Sequence, residues 1–247
     1  MDNMPEKVDI LGVKFNNYSL KGYKNEISRR LDNKKSTFIV TANPEIVMAA
    51  NENPIFMKLI NQDADFVTAD GIGIIKAANI LNKPISERVT GYDLFTWLLD
   101  VANQRKKRVY FIGAKEEVIS DLGKRIQSEY PNIEVAGLRN GYFKDKLDII
   151  ARDITKTKPD MIFAALGYPK QEQLLDILRK KELPAVMMGV GGSFDVFSGH
   201  AKRAPKVWQD LHIEWVYRFL KEPSRFKRFL ALPRFIEEVY RSKRGRR

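Results

Sequence analysis

Residues 108–113 read Arg-Val-Tyr-Phe-Ile-Gly, a short unbroken apolar run closed by glycine, and the chain repeats that pattern three more times. Ile133-Glu-Val-Ala-Gly137, Asp160-Met-Ile-Phe-Ala-Ala-Leu-Gly167 and Pro184-Ala-Val-Met-Met-Gly-Val-Gly191 each begin about 25 residues after the run before. Amphipathic stretches fill the intervals, as at residues 116–130 and 146–157, where apolar positions recur at helical spacing. Continuous apolar strands are buried on both faces, and strands alternating with helices build parallel sheets. The expected fold class is α/β: a Rossmann-like, mostly parallel sheet covered by helices on both faces.

The first hundred residues follow the same logic less regularly. Residues 37–41 predict a buried strand, Pro44 starts a helix that runs through Ile60, and residues 65–69 predict the next strand. Helices are expected over 72–81 and 93–104, and residues 10–15 with Tyr18 predict a small hairpin. After His200 the pattern turns to helices only. Trp208, Leu211, Trp215 and Phe219 fall on one helical stripe, and Pro223 and Pro233 each suit the start of a further helix. The sequence thus divides into an α/β core over residues 1–200 and a basic, aromatic-rich helical appendage over 201–247. No Gly/Ser-rich linker separates the two, so the appendage is expected to pack near the functional edge of the core.

Charge follows the same division. The net charge is +12, and between residues 202 and 247 fourteen Lys and Arg stand against five Asp and Glu, so nine of those charges lie in the appendage. Such a surface suits an anionic partner: membrane lipid, a phosphorylated substrate or nucleic acid. Eight aromatics accompany the charge (Trp208, Trp215, Tyr217, Phe219, Phe226, Phe229, Phe235, Tyr240), more than a merely solvated face would carry. Basic amphipathic helices with aromatic residues suit a headgroup layer, whereas Arg with aromatics also suits stacking on single-stranded nucleic acid. The shared stripe with Leu211 favours the membrane, and no nucleic-acid partner is expected. There is no cysteine, which excludes disulfides, thiolate metal sites and cysteine nucleophiles. No apolar run approaches the ~18 residues of a membrane span, and the polar first residues lack the pattern of a secretory signal, so a cytoplasmic location is expected.

Four polar or glycine-rich loops follow expected strands: Thr41-Ala-Asn-Pro-Glu45, Thr68-Ala-Asp-Gly71, Gly167-Tyr-Pro-Lys-Gln-Glu172 and Gly189-Val-Gly-Gly-Ser-Phe-Asp195. In a parallel sheet all four emerge at one edge, where open α/β folds bind ligands. Asp70, between a strand and a helix, reads either as a helix N-cap or as a general base. The glycine turns at Gly113 and Gly189–Gly192 suit phosphate but lack the G-x-G-x-x-G dinucleotide fingerprint, which argues against a nicotinamide dehydrogenase. Arg88, just before a helix, is placed either to hold a diphosphate or to pair with Glu87 or Asp93. Asp63-Ala-Asp65 has the spelling of a D-x-D metal motif but precedes its strand, so both carboxylates are expected to face solvent on the opposite edge. Two histidines are too few for a histidine-based metal site.

The ordered series of Thr41–Glu45, Ala69-Asp-Gly-Ile-Gly73, Glu87-Arg-Val-Thr-Gly-Tyr-Asp93, Gly167–Glu172, Gly189–Asp195 and Lys202-Arg-Ala-Pro205 resembles the WecG/TagA/CpsF glycosyltransferase family. The resemblance continues into the appendage at Glu214-Trp-Val-Tyr-Arg218 and Glu222-Pro223. It implies an inverting transfer of N-acetylmannosamine from a UDP donor to undecaprenyl-diphosphate-linked N-acetylglucosamine, the linkage-unit step of wall teichoic acid synthesis. Other members transfer N-acetylmannosaminuronic acid or further sugars, and no dedicated extra cation for a uronate stands among the candidate residues. The implied roles are Asp70 as base with Thr41 and Asn43 in the same pocket, and Arg88, Gly113, Tyr142, Gln171, Gly192 and Asp195 at the donor. Arg218, Arg225 and Arg228 would reach the lipid diphosphate or the departing UDP. No metal or other cofactor is implied, since cationic side chains can neutralise the diphosphate. Peripheral attachment to an anionic membrane is implied too, and apolar faces on the appendage would equally serve a homo-oligomer.

Overall fold

A computed structural model describes residues 6–202, 205, 208 and 231–245. The chain opens with an antiparallel hairpin of β1 (Val8–Ile10) and β2 (Val13–Phe15), followed by α1 (Leu20–Asp32) and β3 (Thr37–Ala42). Next come α2 (Pro44–Glu52), α3 (Pro54–Lys58), a π-helical turn (Leu59–Asp63), β4 (Phe66–Ala69), α4 (Ile72–Ile80) and α5 (Gly91–Gln104). The second half alternates: β5 (Arg108–Gly113), α6 (Glu116–Glu129), β6 (Glu134–Arg139), α7 (Leu147–Lys156), β7 (Met161–Ala165), α8 (Lys170–Lys180), β8 (Val186–Gly189) and α9 (Ser193–Phe197). A last helix, α10, spans Ala231–Arg244. The expected helices from Pro205 and Pro223, with Arg218, Arg225 and Arg228, lie outside the described residues.

The six expected core strands form one sheet in the order β4-β3-β8-β7-β5-β6, with every pairing parallel. Alternate residues of each strand feed two cores. Phe38, Val40, Ile162, Ala164 and Met187 face α2, α4, α7 and α8, while Ile39, Met161, Phe163, Val186 and Met188 face α1, α5, α6 and α9. All five residues of β7 are buried, as the unbroken apolar spelling requires of a central strand. The exposed flank of β4 is blunted by Asn16, whose N–H donates to Val67 O (3.0 Å) and whose Oδ1 accepts from Val67 N (2.8 Å). Tyr23 completes this closure from α1, its hydroxyl donating to Asn16 O at 2.6 Å, and burial pushes its pKa up.

Several expectations need correction. The helix expected from Pro44 to Ile60 breaks at Asn53, which is extended because Pro54 follows; the Asn53 side chain then caps the new helix by accepting from Ile55 N and Phe56 N. Tyr18 stands outside the hairpin. The helix α1 was not anticipated, although Ser19 caps it and Tyr23, Ile27 and Leu31 form an apolar stripe at four-residue spacing. Asp65 does lie at the amino end of β4, but it does not face solvent. It accepts from Phe38 N (2.9 Å), is clamped by Arg30 and bonds Arg179 Nε at 2.9 Å, while Asp63 lies 3.5 Å from Lys180 Nζ. These carboxylates tie α1, β3, β4 and α8 together on the side of the sheet away from the four loops.

The helix α10 carries Pro233 in its first turn, where no intrahelical N–H is lost. It packs on α2 and α4, and Phe235 and Val239 are each 1% exposed within the same core as Phe38 and Ile162. One of the eight appendage aromatics is therefore a core residue. Replacing it leaves a cavity under α2 and α4: Phe235→Ala should cost about 3–5 kcal/mol in urea unfolding, and a loss near zero would show that α10 is not part of the folded core.

Candidate active site

The carboxyl ends of the strands bring three of the four loops together at β4, β3 and β8. Asp70 follows β4 directly, and its N–H is shared between Ala42 O (3.0 Å) at the end of β3 and Thr68 O (3.1 Å). The N-cap of α4 is Gly71, with φ 95°, rather than Asp70. That glycine supplies the left-handed conformation which turns the chain from strand to helix and leaves Asp70 partly exposed at the edge. The capping reading of Asp70 therefore gives way to a carboxylate placed by the strand end.

Thr41 sits beside it in register with Thr68. Its hydroxyl donates to Gly189 O at 3.2 Å, tying β3 to β8, and Gly91 packs so closely that a β-carbon there would lie 3.1 Å from Thr41 Oγ1. Asn43 caps α2 by accepting from Ile46 N at 3.0 Å. The Arg88 segment runs alongside β4, held by the bond from Val89 N to Ala69 O (3.2 Å), while Glu87 takes Leu20 N at 2.8 Å and Thr90 caps α5. Thr41 and Asn43, Asp70, and Arg88 thus come from three segments to adjoining strand ends.

The Gly189–Gly192 turn lies against the same group. Gln171 is 4% exposed; its Oε1 accepts from Gly191 N (3.3 Å) and its Nε2 donates to Glu172 Oε1 (2.7 Å). It reaches the edge through the glycine turn rather than as an open side chain. Gly192 opens α9, and Asp195, partly exposed in its first turn, accepts Ala201 N on its backbone oxygen at 2.8 Å.

Gly113 and Tyr142 lie further along the edge, at β5 and β6. A β-carbon on Gly113 would stand 2.3 Å from Ala165 O, so glycine is required there by the close approach of β7, whatever else it does. Gly141 N bonds Ala114 O at 2.8 Å and folds the β6 loop beside Gly113, leaving Tyr142 76% exposed. Lys170 joins this loop to α8, with Nζ 3.2 Å from Gly141 O and 3.8 Å from the centre of the Phe143 ring. Four strand spacings separate β4 from β5, roughly 19 Å along the edge, so Asp70 and Gly113 cannot act on one atom. The site has two ends.

One acid at this edge was missed as a site residue. Glu172 is 1% exposed, and its Oε2 has no hydrogen-bond partner among the described residues. Burial pushes its pKa up to about 7, opposed by the hydrogen bond from Gln171 and by its own backbone N–H. The signal was present in the sequence: Gln171, Glu172, Leu174, Leu175 and Leu178 share the buried side of α8. An acid in a first helical turn reads as a partner of the helix dipole unless that stripe is followed through it.

The family model for the glycosyl transferase WecG/TagA/CpsF family matches residues 8–247. The chain belongs to the WecG/TagA/CpsF family. It is a glycosyltransferase of that family by the match of nearly its whole length. A relative in Bacillus spizizenii is 46% identical over 215 residues, covering 87% of this chain and 83% of its own. A second, in Bacillus subtilis, is 41% identical over 88% of this chain and 84% of its own. A third, in Staphylococcus aureus, is 38% identical over 96% of this chain and 94% of its own. All three carry the name N-acetylglucosaminyldiphosphoundecaprenol N-acetyl-beta-D-mannosaminyltransferase. The family resemblance read from the sequence is thus borne out over residues 8–247.

The buried acid gives a pH signature for this glycosyltransferase. A folded-state pKa above the unfolded one means the native state holds its proton more tightly, so stability is lost as pH rises from about 4.5 through about 7. Glu172→Gln removes that loss and should stabilise the protein at pH 8 by up to ~3 kcal/mol, at 1.36 kcal/mol per unit. The gain should shrink toward zero below pH 5. Thermal unfolding of the two proteins at both pH values checks it; equal differences at the two would show that Glu172 does not titrate in this range.

Proposed function

We propose that this glycosyltransferase moves N-acetylmannosamine from UDP-N-acetylmannosamine to undecaprenyl-diphosphate-linked N-acetylglucosamine, with inversion at the transferred sugar, in wall teichoic acid linkage-unit synthesis. The observation that carries the reading is Asp70, partly exposed beside Thr41 and the Arg88 segment, in a chain whose relatives bear the name of that transferase. Asp70 takes the proton of the acceptor hydroxyl as its oxygen bonds to the anomeric carbon, and the bond from that carbon to the UDP oxygen breaks on the opposite side. Thr41 and Asn43 line this end, and Arg88 meets the diphosphate.

The donor's nucleotide lies toward Gly113 and Tyr142, and Gln171, Gly192 and Asp195 stand between that end and Asp70. The roughly 19 Å between the two ends supports this division: one end recognises the nucleotide, the other performs proton transfer. Arg218, Arg225 and Arg228 neutralise the lipid diphosphate or the departing UDP in place of a metal. Among the described residues no helix is long and apolar enough to cross a membrane. The lipid-linked acceptor and the basic appendage support peripheral attachment at the inner membrane face.

Three experiments test the reading. With lipid-diphosphate N-acetylglucosamine as acceptor and a panel of UDP-sugars, UDP-N-acetylmannosamine should be the productive donor, and EDTA should leave turnover unchanged. Asp70→Asn should retain UDP binding and lose at least ~100-fold in turnover, the lower range for a general base; wild-type turnover would remove Asp70 from the mechanism. Reversal of Arg218, Arg225 and Arg228 to Glu should weaken binding to phosphatidylglycerol vesicles more than ~10-fold, since each basic residue at an anionic surface is worth roughly 1 kcal/mol. Unchanged vesicle binding would refute the membrane assignment.

A further inference from the structure

Among the described residues, Glu172 is the buried acid at the site edge for which the proposed proton transfer has no use. Its surroundings form a short relay. Glu172 Oε1 accepts from Gln171 Nε2 at 2.7 Å, and Gln171 Oε1 accepts from Gly191 N at 3.3 Å. The amide has one way to satisfy both neighbours, so the Glu172 oxygen fixes which end of Gln171 faces the turn. Gly189 makes room for this arrangement: a β-carbon there would lie 2.6 Å from Gln171 Nε2 and 3.3 Å from Glu172 Oε1. On its other side the Gly189 carbonyl holds the Thr41 hydroxyl. The relay therefore touches the β8 end of the site at two backbone positions, Gly189 and Gly191.

We infer that Glu172 is a positioning residue for the donor site: as a neutral acid it locks the Gln171 amide, and through it holds the Gly189–Gly192 turn in its substrate-binding conformation. The inference rests on the proposed nucleotide-sugar reading of that turn. Neutrality follows from the geometry. An ionised carboxylate would leave Oε2 charged, buried and without a donor, whereas an acid loses far less by burial.

Among the described residues no side-chain charge compensates it. On α8, Lys170 turns to Gly141 O, Asp176 pairs with Lys180 and Arg179 with Asp65. The packed strands β3, β7 and β8 carry no ionisable residue. In the π-helical turn Asp63 meets Lys180; on α7 Asp153 pairs with Lys156, and Asp148 and Arg152 are exposed. Deprotonation near pH 7 therefore places an unmatched charge beside Gly189 and loosens the turn.

The test reads the relay and the chemistry separately. In the free protein, the Gly191 amide resonance is followed from pH 5 to pH 9 in wild type and in Glu172→Gln, which keeps the acceptor oxygen and cannot ionise. The KM for UDP-N-acetylmannosamine is measured over the same range. The wild-type Gly191 amide should titrate with a midpoint near 7 and KM should rise about 10-fold, the scale of one lost hydrogen bond, with kcat following its own profile. Both responses should be flat in Glu172→Gln. A Gly191 amide that ignores pH, or a KM profile identical in the two proteins, overturns the assignment. If the wild type transfers no sugar from this donor yet the amide titrates only in wild type, the donor reading fails and the relay stands.

Discussion

The lateral pairing of β3 with β8 is the contact on which the rest of the site depends. Thr41 and Gly189 are 148 residues apart in the chain, yet they share a hydrogen bond because the first and last strands of the sheet lie side by side. The chain leaves β3 toward one core through α2 and leaves β8 toward the other through α9, so the two connections part company above the pair. A crevice at such a reversal is a geometric result of strand order and needs no special side chain to open it. Every other site segment is placed relative to this pair: Asp70 through Ala42, the Arg88 segment through Ala69, and the glycine turn through Gln171.

Burial separates two of the carboxylates at this edge, Asp70 and Glu172. Asp70 ends a strand, partly exposed, where an incoming hydroxyl can meet it. Glu172 is sealed beneath Gly189 and cannot touch a substrate without unpacking α8. A proton shuttle needs access to the reacting atom, whereas a proton that orients an amide needs the reverse: isolation from water and from competing donors. The side chains are chemically similar, and a strand end in one case and a helix stripe in the other give them opposite exposure.

Much of this was legible before any coordinates. The six strands announce themselves because parallel sheets demand continuous apolar spelling, and the strand-end loops stand out because they interrupt that spelling with Gly, Asn, Thr and Asp. What escaped was decided by local competition or by contacts distant in sequence. Asn53 breaks a helix whose apolar pattern runs on, because Pro54 restricts the residue before it. Asp65 looks like half of a metal motif, and only the arrival of Arg30 and Arg179 from separate helices makes it a tie between elements. Glu172 hid because a first-turn glutamate is ordinarily a surface residue. Its burial depends on Gly189, seventeen positions further on.

The docking of α10 has a consequence for the basic segment that precedes it. The described chain ahead of that segment is anchored where Ala201 N bonds Asp195 O, and α10 after it is anchored where Leu232 approaches Gly73 in the first turn of α4. Both anchor points lie on the edge that carries Asp70. The two described anchors that flank the basic sequence therefore stand on one edge of the core. The entropy of bringing these two anchors to one edge is spent when the chain folds rather than at each encounter with a ligand.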